Sequence, residues 1–173
     1  RTADTVTGDL TTVAFNDGQN SAGAKTVAES AFTATGAAAP ASGDIDSAAQ
    51  SALVDIAAAD RAFIDANLLN IWQPQLSSKR PGLYADGISW NYPEIVREHL
   101  QLRQRYPGAR LVWSGDWPVY NDGTWWVTVS GVTFDSGPAA LDWCSSQGFD
   151  SDHCFAKILS HTMGTSGTTL LRR

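Results

Sequence analysis

The sequence contains only two cysteines, three histidines, three glutamates and one methionine in 173 residues. No apolar run in it approaches the roughly 18 residues of a membrane-spanning helix. Each shortage excludes a class of function. Cys144 and Cys154, with nine residues between them, are too few for a structural zinc site and lack the Cys-x-x-Cys spacing of a redox pair. Glu29, Glu94 and Glu98 supply no spaced carboxylate pair on facing elements, so glycosidase chemistry has no support. Ser160 and His161 are neighbours on an extended stretch, where successive side chains point to opposite sides and cannot form a nucleophile–base pair. Gly164-Thr165-Ser166-Gly167 is not a nucleophile elbow. The chain therefore reads as non-catalytic, with no metal site and no cofactor.

The remaining histidines have ordinary explanations. His99 falls on the apolar face of an expected helix, where a hydrogen-bonded core histidine is the common case. His153 and His161 lie near Asp150-Ser151-Asp152, a grouping that suits turn and capping chemistry better than metal ligation.

The net charge of −6 is unevenly spread, with residues 71–110 carrying +3. Lys79, Arg80, Arg97, Arg103, Arg105 and Arg110 lie in this stretch without any nucleic-acid motif. They are expected to solvate one face, and no nucleic-acid partner is expected.

At this length the chain can bury one core, so one principal domain is expected. Residues 1–43 are rich in Ala, Thr, Gly and Ser, with one β-like patch at Leu10–Phe15, and read as a linker or stalk. From Asp44 the apolar residues Ile45, Ala49, Leu53, Ile56, Phe63, Leu68 and Ile71 recur at helical spacing, which predicts a long amphipathic helix over 44–70 capped by Asp44. Trp72-Gln73-Pro74 is expected to end it. A short extended segment with an Asp86-Gly87 turn follows, then a helix opened by Asn91 and Glu94 at capping-box spacing with Pro93 in its first turn.

Arg110–Trp113 and Thr124–Phe134 read as strands, with Val127 and Val129 facing the core. Ser136–Gln147 reads as a third helix and His153–Leu159 as a final strand. The order from residue 76 is β-α-β-β-α-β. It predicts an α+β two-layer sandwich, with two helices on one sheet face and the other face either solvated or, as the preferred reading, covered by the 44–70 helix.

This topology brings the end of the third helix against the start of the last strand, so Cys144 and Cys154 are expected to form a disulfide. The loop they would close is worth about 2.5–3 kcal/mol in the chain-entropy model. A disulfide in turn points to an exported domain. Seven tryptophans are the most unusual compositional feature, and several cluster around one expected hairpin. One reading is cross-strand packing. The other is a ligand or dimer surface formed by Trp113, Trp117, Tyr120 and Trp126.

Trp72-x-Pro74-Gln75-Leu76-Ser77-Ser78-Lys79, Pro107 to Trp113, Trp126-Val127-Thr128-Val129, Trp143-Cys144 and Asp152-His153-Cys154-Phe155-Ala156-Lys157 followed by Leu159-Ser160-His161-Thr162 form one pattern over about residues 70–162. It resembles the extracytoplasmic sensor domain of actinobacterial transmembrane Ser/Thr protein kinases. The resemblance implies an outward-facing sensor over 44–173 on a membrane-proximal stalk, anchored through a segment absent from this chain. It also implies an external ligand, such as a cell-wall glycan or peptide, with homodimerisation as the signal to a cytoplasmic kinase. The chain itself carries no kinase motif. The element order also resembles the glycan-binding SPOR modules of bacterial cell division, which implies the alternative of a secreted or anchored cell-wall-binding module.

Overall fold

The computed structural model describes residues 38–173; most of the expected linker, including the patch at Leu10–Phe15, lies outside the described residues. Helix α1 spans Ser42–Asn67, with Asp44 in its first turn and no side-chain cap at Ala41. Asp44 therefore opposes the helix dipole without capping the helix. The helix ends before residue 70, since Leu68 already leaves helical backbone, φ −121° and ψ 6°, and the left-handed Asn70, φ 60°, does not let it resume.

Strand β1, Trp72–Lys79, begins where only a helix stop was expected. Proline is rare inside a central strand because it cannot donate to the ladder. Here Pro74 sits at the end of the pairing with β5 (Trp126–Val129), next to a register shift between Gln75 and Ser77. Only its carbonyl is used on that side, accepting from Ser130 N–H at 2.8 Å. Beyond this point the chain turns on Gly131, φ +73°, whose missing side chain leaves room for the Gly108 carbonyl.

Strands β2 (Leu83–Ala85) and β3 (Ile88–Trp90) form a separate hairpin. Its two-residue Asp86-Gly87 turn has φ +56° and +73°, as a type I′ turn requires. Helix α2 spans Tyr92–Arg105 with Pro93 in its first turn, and the Glu94 carboxylate accepts from Asn91 N–H at 3.2 Å. Strand β4 (Arg110–Trp113), a 3-10 turn (Ser114–Asp116), β5, α3 (Gly137–Ser146), β6 (Phe155–Ile158) and β7 (Thr169–Leu170) complete the chain.

The main sheet has the order β4-β5-β1-β6-β7, and every neighbouring pair is antiparallel. The fold is thus mixed α and β around a small antiparallel sheet with a Cys144–Cys154 disulfide. The extra hairpin and β7 distinguish it from the simple β-α-β-β-α-β order. Helices α2 and α3 share one sheet face, where Leu76 of β1 meets Tyr106, Cys144 and Cys154.

Helix α1 departs from its expected position, because it runs along the outer edge of β4 and touches material from both sides of the sheet. Leu53 packs with Trp90, Ile95, Leu111 and Trp126, while Ile64 and Leu68 pack with Val112, Val127, Val129 and Leu159. The far face is closed by loop residues instead: Trp117 and Val119 insert against Val127 and Val129, with Met163 packed beside them. Val127, Val129, Ile64 and Leu159 are fully buried, each worth about 1.5–3 kcal/mol relative to exposure.

Candidate functional site

Trp113 on β4 and Trp126 on β5 are directly opposed across the ladder, and their rings lie 4.7 Å apart, tilted by 46°. Gly115 makes this possible, since a side chain there would collide with the Trp113 indole. Beside the pair, the edge position of α1 opens a groove of about 400 Å³ walled by Val54, Ala57, Tyr92, Trp113 and Trp126, with Arg61 and Asp116 at its rim. Val54 is half exposed. Tyr92 and Trp113 also border a second hollow of about 560 Å³ against Pro81, Leu83 and Tyr84 of the β2–β3 region. Tyr84 is 72% exposed, and Tyr92 and Trp113 are shared by the two hollows. Such walls favour stacking on rings and apolar faces.

The other two aromatic residues expected in this surface lie elsewhere. Trp117 is 3% exposed, stacks on His161 at 4.7 Å and carries the Arg61 guanidinium 4.5 Å above its ring. His161 in turn contacts Asp65 of α1 at 2.8 Å, so Trp117 fastens the 114–125 loop to the helix. Tyr120 lies on the far sheet face and donates its hydroxyl to Gln75 Oε1 at 3.1 Å, while burial pushes its phenol pKa up. Trp113, Trp117, Tyr120 and Trp126 therefore divide between a groove, a structural stack and a different sheet face.

His99 is buried on α2, 2.9 Å from Thr128 Oγ1, and its Nε2 has no partner. Burial, reinforced by Arg103, pulls its pKa down to about 4. It is neutral at physiological pH and faces the protein interior. His153 contacts Asp150 at 2.6 Å and Asp86 at 3.0 Å; the bond to Asp150 and then that to Asp86 raise its pKa. Asp86 also accepts from Lys79 at 3.2 Å. Lys79 lies near Glu98, whose carboxyl pKa is raised by burial and which accepts from Ser77 at 2.5 Å. This chain of bonds ties the hairpin turn to the disulfide loop and α2. Among the described residues, no grouping of three ligands could hold a metal ion.

The basic stretch is only partly a solvated face: Arg97 and Arg105 are exposed, whereas Lys79, Arg80, Arg103 and Arg110 are paired within the fold. Arg103 grips the buried Asp60 of α1 through two bonds, at 2.6 and 3.2 Å, and Arg110 lies 3.7 Å from the same carboxylate. Asp60 Oδ2, which takes the longer Arg103 bond, also accepts from Leu111 N–H at 2.8 Å, which satisfies an amide on the outer side of β4. Lys79 is buried and Arg80 pairs with Asp122 at 3.1 Å. These cations are consumed by folding.

Sequence patterns do not disclose Tyr92 as a groove residue, nor the burial of Lys157 on the far sheet face. Tyr92 carries only a helix-start signal, and Lys157 follows an alternation that names two faces without saying what covers either. No family model matches the chain, and neither a curated protein nor a solved structure matches it.

Proposed function

We propose that this chain is a non-catalytic extracytoplasmic sensor and dimerisation domain, passing an external signal toward a cytoplasmic Ser/Thr kinase. The observation that carries this reading is the aromatic groove whose one wall is α1. A ligand stacked on Trp113 presses against Val54 and Ala57, so occupancy bears directly on the helix leading from the expected stalk. The buried Asp60 clasp makes α1 and the β4 edge respond together. The disulfide fits an oxidising, exported compartment, and the kinase connection rests on the resemblance of residues 70–162. Sedimentation velocity on the whole chain, with and without soluble cell-wall glycopeptide fragments, tests the reading. A shift toward dimer with fragments, lost in Trp113→Ala, is the expected result; a monomer under every condition removes the proposal.

The second reading is a cell-wall glycan- or peptide-binding module that holds its ligand without signalling. It is favoured by the second hollow, which shares Tyr92 and Trp113 with the groove and is bordered by the exposed Tyr84; two neighbouring aromatic hollows suit an extended polymer more than a compact effector. Cosedimentation with insoluble peptidoglycan, weakened in Tyr84→Ala and unaccompanied by any change of oligomeric state, would select it.

A further inference from the structure

Lys157 points from β6 into the far face of the sheet and is 3% exposed. Its Nζ donates to Val119 O at 2.6 Å and to Thr169 Oγ1 at 2.8 Å, and it lies 4.5 Å from the centre of the Tyr120 ring. Both oxygens are neutral, and among the described residues no carboxylate forms an ion pair with it. Burial alone lowers its pKa to about 8, which leaves the ammonium largely protonated at neutral pH. A desolvated cation without a counter-ion is costly, and the two hydrogen bonds to neutral oxygens satisfy its donors without neutralising its charge. Folding therefore leaves the charge of this lysine uncompensated.

The surroundings supply one. Lys157 borders an open cavity of about 440 Å³ with aromatic walls from Tyr120, Trp125 and Phe155 and polar groups from Gln75, Ser78 and Asn121. Asp122, also at this cavity, is neutralised by Arg80, which lies above the Trp125 ring. The site thus presents a buried positive charge, flat apolar walls and hydrogen-bonding amides and hydroxyls. We propose that this cavity binds a small organic carboxylate carried on a ring, the carboxylate neutralising Lys157 while the ring lies against the aromatic walls. This site is separate from the Trp113 groove, since Lys157 and Trp126 lie on opposite faces of the sheet.

Titration calorimetry on the whole chain tests the proposal with two matched pairs: glucuronate against glucose, and benzoate against benzamide. At least one carboxylate should bind at least tenfold more tightly than its neutral partner, and the better pair identifies the ring as sugar or arene. Lys157→Met should abolish that preference while retaining the wild-type circular-dichroism spectrum. A second measurement does not depend on the variant: nitrogen NMR of Lys157 Nζ should show its pKa rising from about 8 when the carboxylate is added. Equal binding of charged and neutral partners, binding of neither pair, or an unmoved Lys157 pKa would each overturn the proposal.

Discussion

Asp60 and Lys157 are both buried ions at the margins of the same sheet, and the fold answers them in opposite ways. The Asp60 carboxylate meets two guanidinium groups and a backbone amide. Lys157 meets a carbonyl, a hydroxyl and a ring. A buried charge with full partners serves the architecture, and one without a counter-ion awaits a group from outside.

The sharpest way to break this contrast is to remove Asp60. Asp60→Ala strands two cations and the outward-facing Leu111 amide, and should cost about 3–5 kcal/mol in urea unfolding. A loss under 1 kcal/mol would show that Asp60 is no better integrated than Lys157. Opening the disulfide with Cys144→Ala/Cys154→Ala should cost about 2.5–3 kcal/mol while leaving the carboxylate preference in place, because the cystine packs on the helical face and the Lys157 cavity opens on the other. Loss of that preference in the still-folded variant would mean that the two faces are coupled.

A smaller effect sharpens the comparison through pH. His99 takes up its proton near pH 4 when folded and near 6.5 when unfolded. Between these values the unfolded chain holds more protons, so His99's contribution is complete above pH 6.5 and drains away as pH falls toward 4. His153 has the opposite sign, since its raised pKa gives stability that is present at low pH and lost as pH rises. His99→Gln should flatten the acid limb measured by thermal unfolding between pH 4 and 6.5; an unchanged slope would assign that limb to other groups. The smallest expected change is the stability of Lys157→Met, a loss of about 1 kcal/mol, because the Val119 carbonyl and Thr169 hydroxyl lose their donor while an uncompensated charge is removed.

Local chemistry was legible in the sequence where one element could announce itself. Asn91, Pro93 and Glu94 mark the start of α2, the Asp86-Gly87 pair marks a tight turn, and Cys144 and Cys154 sit on elements that the chain order brings together. Trp72 was not legible as the start of a strand, because Pro74 is a breaker in isolation and only the local ladder accommodates it. The aromatic cluster failed as a single surface for a related reason. Closeness in sequence brought Trp113, Trp117, Tyr120 and Trp126 together, but strand alternation and the loop crossing sent them to different faces. The role of Lys157 depends on which carboxylates are absent around it, and that is a property of packing.

The bond from Leu111 to Asp60 also limits how copies of this domain can meet. An exposed border strand is a template on which another chain can extend a sheet. Here α1 lies along β4, and a carboxylate already occupies the Leu111 amide. At the opposite border β7 is only two residues long. Among the described residues, extension of the main sheet is therefore blocked along β4 and has little backbone to use at β7, so a second copy meeting this sheet would be recognised through side-chain surfaces.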